Sequence, residues 1–112
     1  MATIDDVLNS IKGDALNLVK DQLKGLLTSA RNDADSVIRE TGQKIADWLI
    51  MRKKGTLNDE ELEALLYSRD QLIRQYKNTV EIQTRARIEK VSVALINLVL
   101  DKLIGIPLGK LS

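Results

Sequence analysis

Apolar residues recur through the first half of the chain at Ile4, Leu8, Ile11, Ala15, Val19, Leu23, Leu26, Ala30, Ala34, Val37, Ile45 and Trp48, with Thr41 in the same phase. Steps of three and four never break that phase, so the pattern predicts helix with one face turned inward. An eleven-residue spacing runs through Ile4, Ala15, Leu26, Val37 and Trp48. Such a period favours a nearly straight or weakly right-handed seam over a tight left-handed supercoil. In the second half, the run from Asn58 to Ile104 contains neither Gly nor Pro, the residues that most often interrupt a helix. It predicts a second helix of about 46 residues, roughly 70 Å long at ~1.5 Å per residue.

The ends of both segments carry punctuation. Thr3 can cap the first helix with Asp6 three positions on, and Asp5 complements the helix dipole. The basic trio Arg52, Lys53 and Lys54 sits where that helix ends, and Gly55 suits a left-handed residue after it. Asn58 and Glu61 form a capping-box pair, Leu57 and Leu62 a hydrophobic staple, and Asp59, Glu60, Glu61 and Glu63 place acids in the first turn. At the far end Gly105 can terminate the helix, Ile106 can fold back on Leu100, and Pro107 forbids continuation. The stretch from Thr28 to Asp33 holds weak helix formers, and Asn32 can cap a new helix there. The unbroken phase of the stripe instead favours continuity or a kink.

These signals predict a single all-α domain: a helix over about 4–53, a turn over 54–57, a helix over about 58–104 and a short C-terminal tail. A connection so short makes the helices antiparallel neighbours, a long helical hairpin. Folding at Gly55 sets Ile45 opposite Leu66, Val37 or Ile38 opposite Ile73, and Ala30 with Ala34 opposite Tyr76 and Val80. Further out, Leu23 meets Ile88, Val19 meets Val91, and Leu16 meets Leu95.

One two-helix seam buries little for a chain of 112 residues, and the surplus apolar surface is concentrated. From Val91 to Leu108 the sequence is apolar nearly all round, and a helix apolar on every side is buried on every side. The expectation is a homo-oligomer, a dimer or higher, built through the end that holds both termini. Its interface residues would be Val93, Ile96, Leu100, Leu103 and Ile104, with Val7 and Leu18. Asn97 is the one amide in that run and can fix register or point outward, while Asp101 and Lys102 can pair within or between chains. The charged turn carries Arg52, Lys53, Lys54 and Glu60 as a surface for another protein.

Composition narrows the chemistry. Charged residues make up 29% and hydrophobic ones 44%, the balance of an amphipathic helical protein rather than a disordered one. With a net charge of +1 there is no global field to hold nucleic acid or an anionic membrane. The absence of Cys removes disulfides and thiolate chemistry, and the absence of His removes the commonest general base and metal ligand. Glu60, Glu61 and Glu63 read as first-turn acids rather than a metal cluster, and no cofactor is expected. The basic length Arg74, Lys77, Arg85, Arg87 and Lys90 is diluted by Glu81 and Glu89 and reads as a solvated face, not a nucleic-acid site. Trp48 reads as core near the turn, whereas Gly13 and Gly42 suit either close helix approach or neutral surface. Neither a secretory signal nor an uncharged membrane-length run is present, so the expected location is cytoplasmic.

The function class these features imply is a non-enzymatic structural or interaction protein, a homo-oligomeric helical adaptor, assembly factor or scaffold. The alternative is an amphipathic protein of lipid or granule surfaces that uses the apolar termini end. In its eleven-residue periodicity alone, the chain is similar to lipid-surface proteins such as apolipoproteins and synucleins.

Overall fold

Thr3 opens the first helix, α1 (Ile4–Asn9), by a reciprocal cap: its hydroxyl accepts from the Asp6 amide while the Asp6 carboxylate accepts from the Thr3 amide. The computed structural model describes residues 3–11 and 16–105. The expectations for Gly13, Ala15, Ile106, Pro107 and Leu108 therefore fall outside the described residues. Four longer helical segments come after α1: α2 (Asn17–Arg31), α3 (Ser36–Lys54), α4 (Asp59–Lys77), and α5, continuous over 82–103. Within α5 the backbone is α-helical over Ile82–Arg87 and Ala94–Leu98, and opens into wider π turns over Ile88–Val93 and Val99–Leu103. The chain is all-helical, with no strand among the described residues.

The turn between α3 and α4 is built from local signals. Gly55 adopts φ 84°, its amide donates to the Arg52 carbonyl, and the Thr56 amide reaches back to Met51. This closes the helix in a Schellman motif. Asn58 and Glu61 then bond reciprocally at the start of α4, at 2.8 and 3.0 Å, with Leu57 and Leu62 buried beside them. Arg69 to Thr41 and Tyr76 to Asp35 are hydrogen-bonded across α3 and α4. Both pairs lie at the levels that a fold-back at Gly55 places opposite one another.

The two long helices expected from the seam are each divided. The first ends at Arg31, and Asp35, not Asn32, caps α3 by accepting from the Val37 and Ile38 amides. The Asp33 carboxylate accepts from the Asp35 amide at 2.8 Å, and the Asn32 side chain donates to the Thr28 carbonyl at 2.9 Å. Short polar side chains here bond the backbone in place of the next helical turn. The second long helix stops at Lys77, and Asn78–Glu81 links it to α5. No Gly or Pro marks that stop. Thr79 turns back on the Tyr76 carbonyl through amide and hydroxyl, and the Arg85 guanidinium takes the Lys77 and Val80 carbonyls. Orphaned helix-end carbonyls thus find donors from the next helix.

Cross-links at the ends give the helix directions. Arg87 at the start of α5 pairs with Asp33 just before α3, at 3.1 Å. At the other end Arg52 of α3 donates to the Leu103 carbonyl of α5, also at 3.1 Å. So α3 and α5 run parallel, with α4 returning between them and α2 antiparallel to α3. The result is an up-and-down bundle with α1 packed on α3. Its longest dimension is 44 Å and its radius of gyration 13.7 Å, close to the ~13 Å of a compact chain of this length. A 70 Å rod is excluded.

Helix α5 packs against α2, α3 and α4 at once. Its Ile88, Leu95, Ile96, Val99 and Leu103 are fully buried. The apolar circumference is thereby covered largely by the same chain. The wide π turns bring adjacent residues, Ser92 with Val93, onto the inner side together.

Two sets of substitutions test this packing by chemical denaturation. A Cβ on Gly42 would lie 2.6 Å from Ala30 Cβ and 3.1 Å from the Arg31 backbone nitrogen, so Gly42→Ala destabilises by about 1–3 kcal/mol. At Gly25 nothing lies within 4 Å, and Gly25→Ala instead stabilises by roughly 0.5–1 kcal/mol through helix propensity. Equal effects at the two glycines would contradict the α2–α3 contact. The Ser92 hydroxyl is fully buried without a partner among the described residues, so Ser92→Ala raises stability by about 1 kcal/mol. A loss of that size would mean that the hydroxyl is bonded.

Candidate functional site

Enclosing α5 leaves one face of it partly uncovered. Between α2 and the later part of α5 runs an open groove of about 540 Å³, lined by Gln22, Gly25 and Leu26 on one wall and Ala94, Asn97, Leu98, Asp101 and Lys102 on the other. Helical spacing explains the lining. Residues 22, 25 and 26 share one face of α2, and 94, 97, 98, 101 and 102 share one face of α5. Leu18, one turn before Gln22, continues the α2 wall and is 67% exposed. Gly25 leaves bare backbone in that wall, in a helix interior where Gly costs about 1 kcal/mol relative to Ala. No described residue fills the space its side chain would occupy. The groove is apolar at its centre, with Leu26, Ala94 and Leu98 half-buried, and carries Asn97, Asp101 and Lys102 exposed along the α5 wall.

The residues expected at an oligomer interface separate into three groups. Val7, Ile96 and Leu103 are fully buried in the subunit's own core, and Val93 nearly so. Within the single chain α5 is wrapped by its own neighbours, and these side chains are already covered there. Leu100 and Ile104 are half-buried against that core. Leu18 alone of the seven is largely exposed. Gln22, Gly25, Ala94 and Leu98 are the groove residues to which sequence reasoning gave no role. Gly25 was the available signal, a glycine in the interior of a helix, beside the apolar stripe.

At the turn, Arg52 clamps two elements of its own chain. Its Nε lies 2.6 Å from Asp59 Oδ1, and a side chain only 7% exposed reaches across to the end of α5. Lys54 and Glu60 stay exposed, and Lys53 is half-buried. The basic length is largely neutralised by neighbours: Arg74 pairs with Asp70, Lys77 with Glu89 and Arg87 with Asp33. Among the described residues no group of carboxylates is placed to hold a metal ion, and no helix is long and apolar enough to cross a membrane.

A smaller groove of about 170 Å³ lies between α3 and α4, lined by Lys44, Trp48, Leu65, Ser68, Arg69 and Leu72. Trp48 and Leu65 are half-buried there. Arg69, only 8% exposed, donates from Nε to Thr41 Oγ1 at 2.9 Å and from Nη2 to the Val37 carbonyl at 3.2 Å. The Thr41 hydroxyl in turn donates to that same carbonyl at 2.8 Å. Burial holds the guanidinium below its ordinary pKa, opposed by the charge of Glu40, whose carboxylate stands 3.9 Å away and is 64% exposed.

Comparison of the chain with family models, curated proteins and solved structures finds no match. The two grooves and the residues that line them are therefore the grounds for a functional reading.

Tyr76 supplies a pH test of the bundle end that carries the α2–α3 and α4–α5 turns. Its hydroxyl donates to Asp35 Oδ2 at 2.8 Å. The bond, reinforced by burial and by the Asp35 charge, raises the phenol above its ordinary value of 10.0. A raised folded-state pKa contributes stability that is complete below the unfolded value and is lost as pH climbs through the folded one. Wild type should therefore exceed Tyr76→Phe in urea denaturation near neutrality, with the difference disappearing above about pH 10. A difference that persists unchanged into alkali would sink the assignment.

Proposed function

We propose that the chain is a non-enzymatic interaction protein, a small helical adaptor or scaffold that associates with a second copy of itself through the α2/α5 groove. The groove carries the reading: an open, largely apolar surface with exposed backbone at Gly25 and no described side chain to fill it. Close backbone approach at small residues lets a second helix settle between two others. The choice of a second copy rests on charge. Asp101 and Lys102 are adjacent, opposite in sign, exposed, and without ion-pair partners among the described residues. A wall bearing one acid beside one base is its own complement across a two-fold axis, where each Asp101 faces the partner's Lys102. Asn97 lies between the apolar centre and that pair, and two such amides can bond across the axis and fix register. Absence of His and Cys supports a non-enzymatic role, since the commonest proton-transfer group and the thiol nucleophile are both missing.

Sedimentation equilibrium over low to high micromolar concentration tests the proposal with three variants. Wild type is expected to dimerise. Gly25→Trp fills the groove and gives a folded monomer, since its site is open space. Asp101→Lys makes the wall single-signed and weakens association by roughly tenfold or more, given up to ~1 kcal/mol for each exposed pair and added like-charge repulsion. The exchanged variant Asp101→Lys/Lys102→Asp recovers it. A folded wild-type monomer throughout, or association indifferent to all three changes, overturns the proposal. Co-flotation of that monomer with liposomes would transfer the groove to a lipid surface instead.

A further inference from the structure

The α2 wall of the α2/α5 groove has a pattern of its own. Leu18, Gln22, Gly25 and Ser29 recur at steps of four, three and four, and so share one side of the helix. All four are exposed, Leu18 by 67%. Nothing inside the described subunit requires glycine at position 25. Its backbone is ordinary right-handed helix, the positive φ values among the described residues falling at Gly55 and Gly105. An added Cβ there would meet no atom within 4 Å. This side of α2 thus holds a large apolar knob and a bare hole two turns apart, about 10 Å at ~1.5 Å per residue, with Gln22 between them. Its edge carries Asp21 and Lys24, exposed, opposite in sign and without ion-pair partners among the described residues.

We infer that α2 packs antiparallel on α2 of a second copy, with Leu18 of each protomer seated on the partner's Gly25. The inference rests on the self-association proposed above and gives it a register. In an antiparallel pair related by a two-fold axis between Asp21 and Gln22, residue 18 faces residue 25 and residue 25 faces residue 18, so each knob meets a hole. Large against small is how facing layers interdigitate. The same edges of the two helices also meet, which brings each Asp21 within a turn of the partner's Lys24, acid to base. A parallel pair would set Leu18 against Leu18 and Gly25 against Gly25, leaving one layer crowded and one empty. The α5 wall agrees with this axis. Gln22 and Asp101 line the groove from opposite walls, and α2 and α5 run in opposite directions. One axis crossing the groove at that level serves both the Asp101–Lys102 pairing and the Leu18–Gly25 contact. A lipid surface or an unrelated protein gives no reason for knob, hole and opposite charges to complement one another about a single level.

The chain contains no Cys, so engineered thiols report contacts without background. Sedimentation equilibrium of the wild type shows whether the chain dimerises, and cross-linking shows how, so the two proposals fail separately. Leu18→Cys and Gly25→Cys proteins are mixed and oxidised. A disulfide needs Cβ atoms about 3.5–4.5 Å apart, so the mixture is expected to link roughly fivefold or more over either protein alone. Gly25→Leu sets knob against knob and should weaken the dimer about tenfold or more. Leu18→Ala/Gly25→Leu exchanges knob and hole and should restore the dimer to within a few-fold of wild type. Both variants keep the fold, because Leu18 is exposed and the space at Gly25 is open, and urea denaturation checks this. A wild-type dimer without the preferential link, or an exchanged variant as weak as Gly25→Leu, overturns the register and leaves self-association standing. A wild-type monomer, whether free or held on liposomes, overturns both.

Discussion

The architecture of this bundle is set by the need to cover α5. Its sequence is apolar around most of its circumference, and each such face left in water would cost about 2–3 kcal/mol per large side chain. Two helices in a rod can hide only one stripe of it. Three helices can hide nearly all, and the chain provides them by breaking twice and packing α2, α3 and α4 around it. Those breaks require polar groups able to replace the lost helical hydrogen bonds. Asp33, Asp35 and Asn32 supply them at one turn, and Thr79 with Arg85 at the other.

The ends of the bundle show how these polar groups also fix its register. Asp35 caps α3 with one carboxylate oxygen and accepts from Tyr76 with the other. Asp33 closes the turn and receives Arg87. At the opposite end Arg52 holds Asp59 and the final carbonyl of α5 together. Each side chain serves a local cap and a tertiary contact at the same time. Sliding one helix by a turn would break both, and so the arrangement is specified rather than merely compact.

Two surfaces escape this double use. The α2/α5 groove keeps a mid-helix glycine where an added Cβ would meet nothing inside the described subunit, and the α3/α4 groove sets Trp48, Leu65 and Leu72 beside Lys44 and Arg69. Natural sequences are locally consistent except where something outside the fold has to be accommodated. Both surfaces are grooves between helices.

The helix caps, the left-handed turn at Gly55 and the all-helical class were legible in the sequence, because they depend on contacts within four or five residues. Excess apolar surface on α5 was legible too, though not its cover: periodicity states that a face is buried and never by what. The break after Lys77 had no breaker residue to announce it, and Asn32 drew attention from Asp35 because both are good caps. Burial of Val7, Ile96 and Leu103 within the subunit, the recruitment of Arg52 to the end of α5, and the pairing of Trp48 with Arg69 in one groove all join residues distant in sequence. Tertiary packing alone decided them, since a local pattern fixes the shape of each helix and the cheapest burial of all the helices together fixes where the chain must turn.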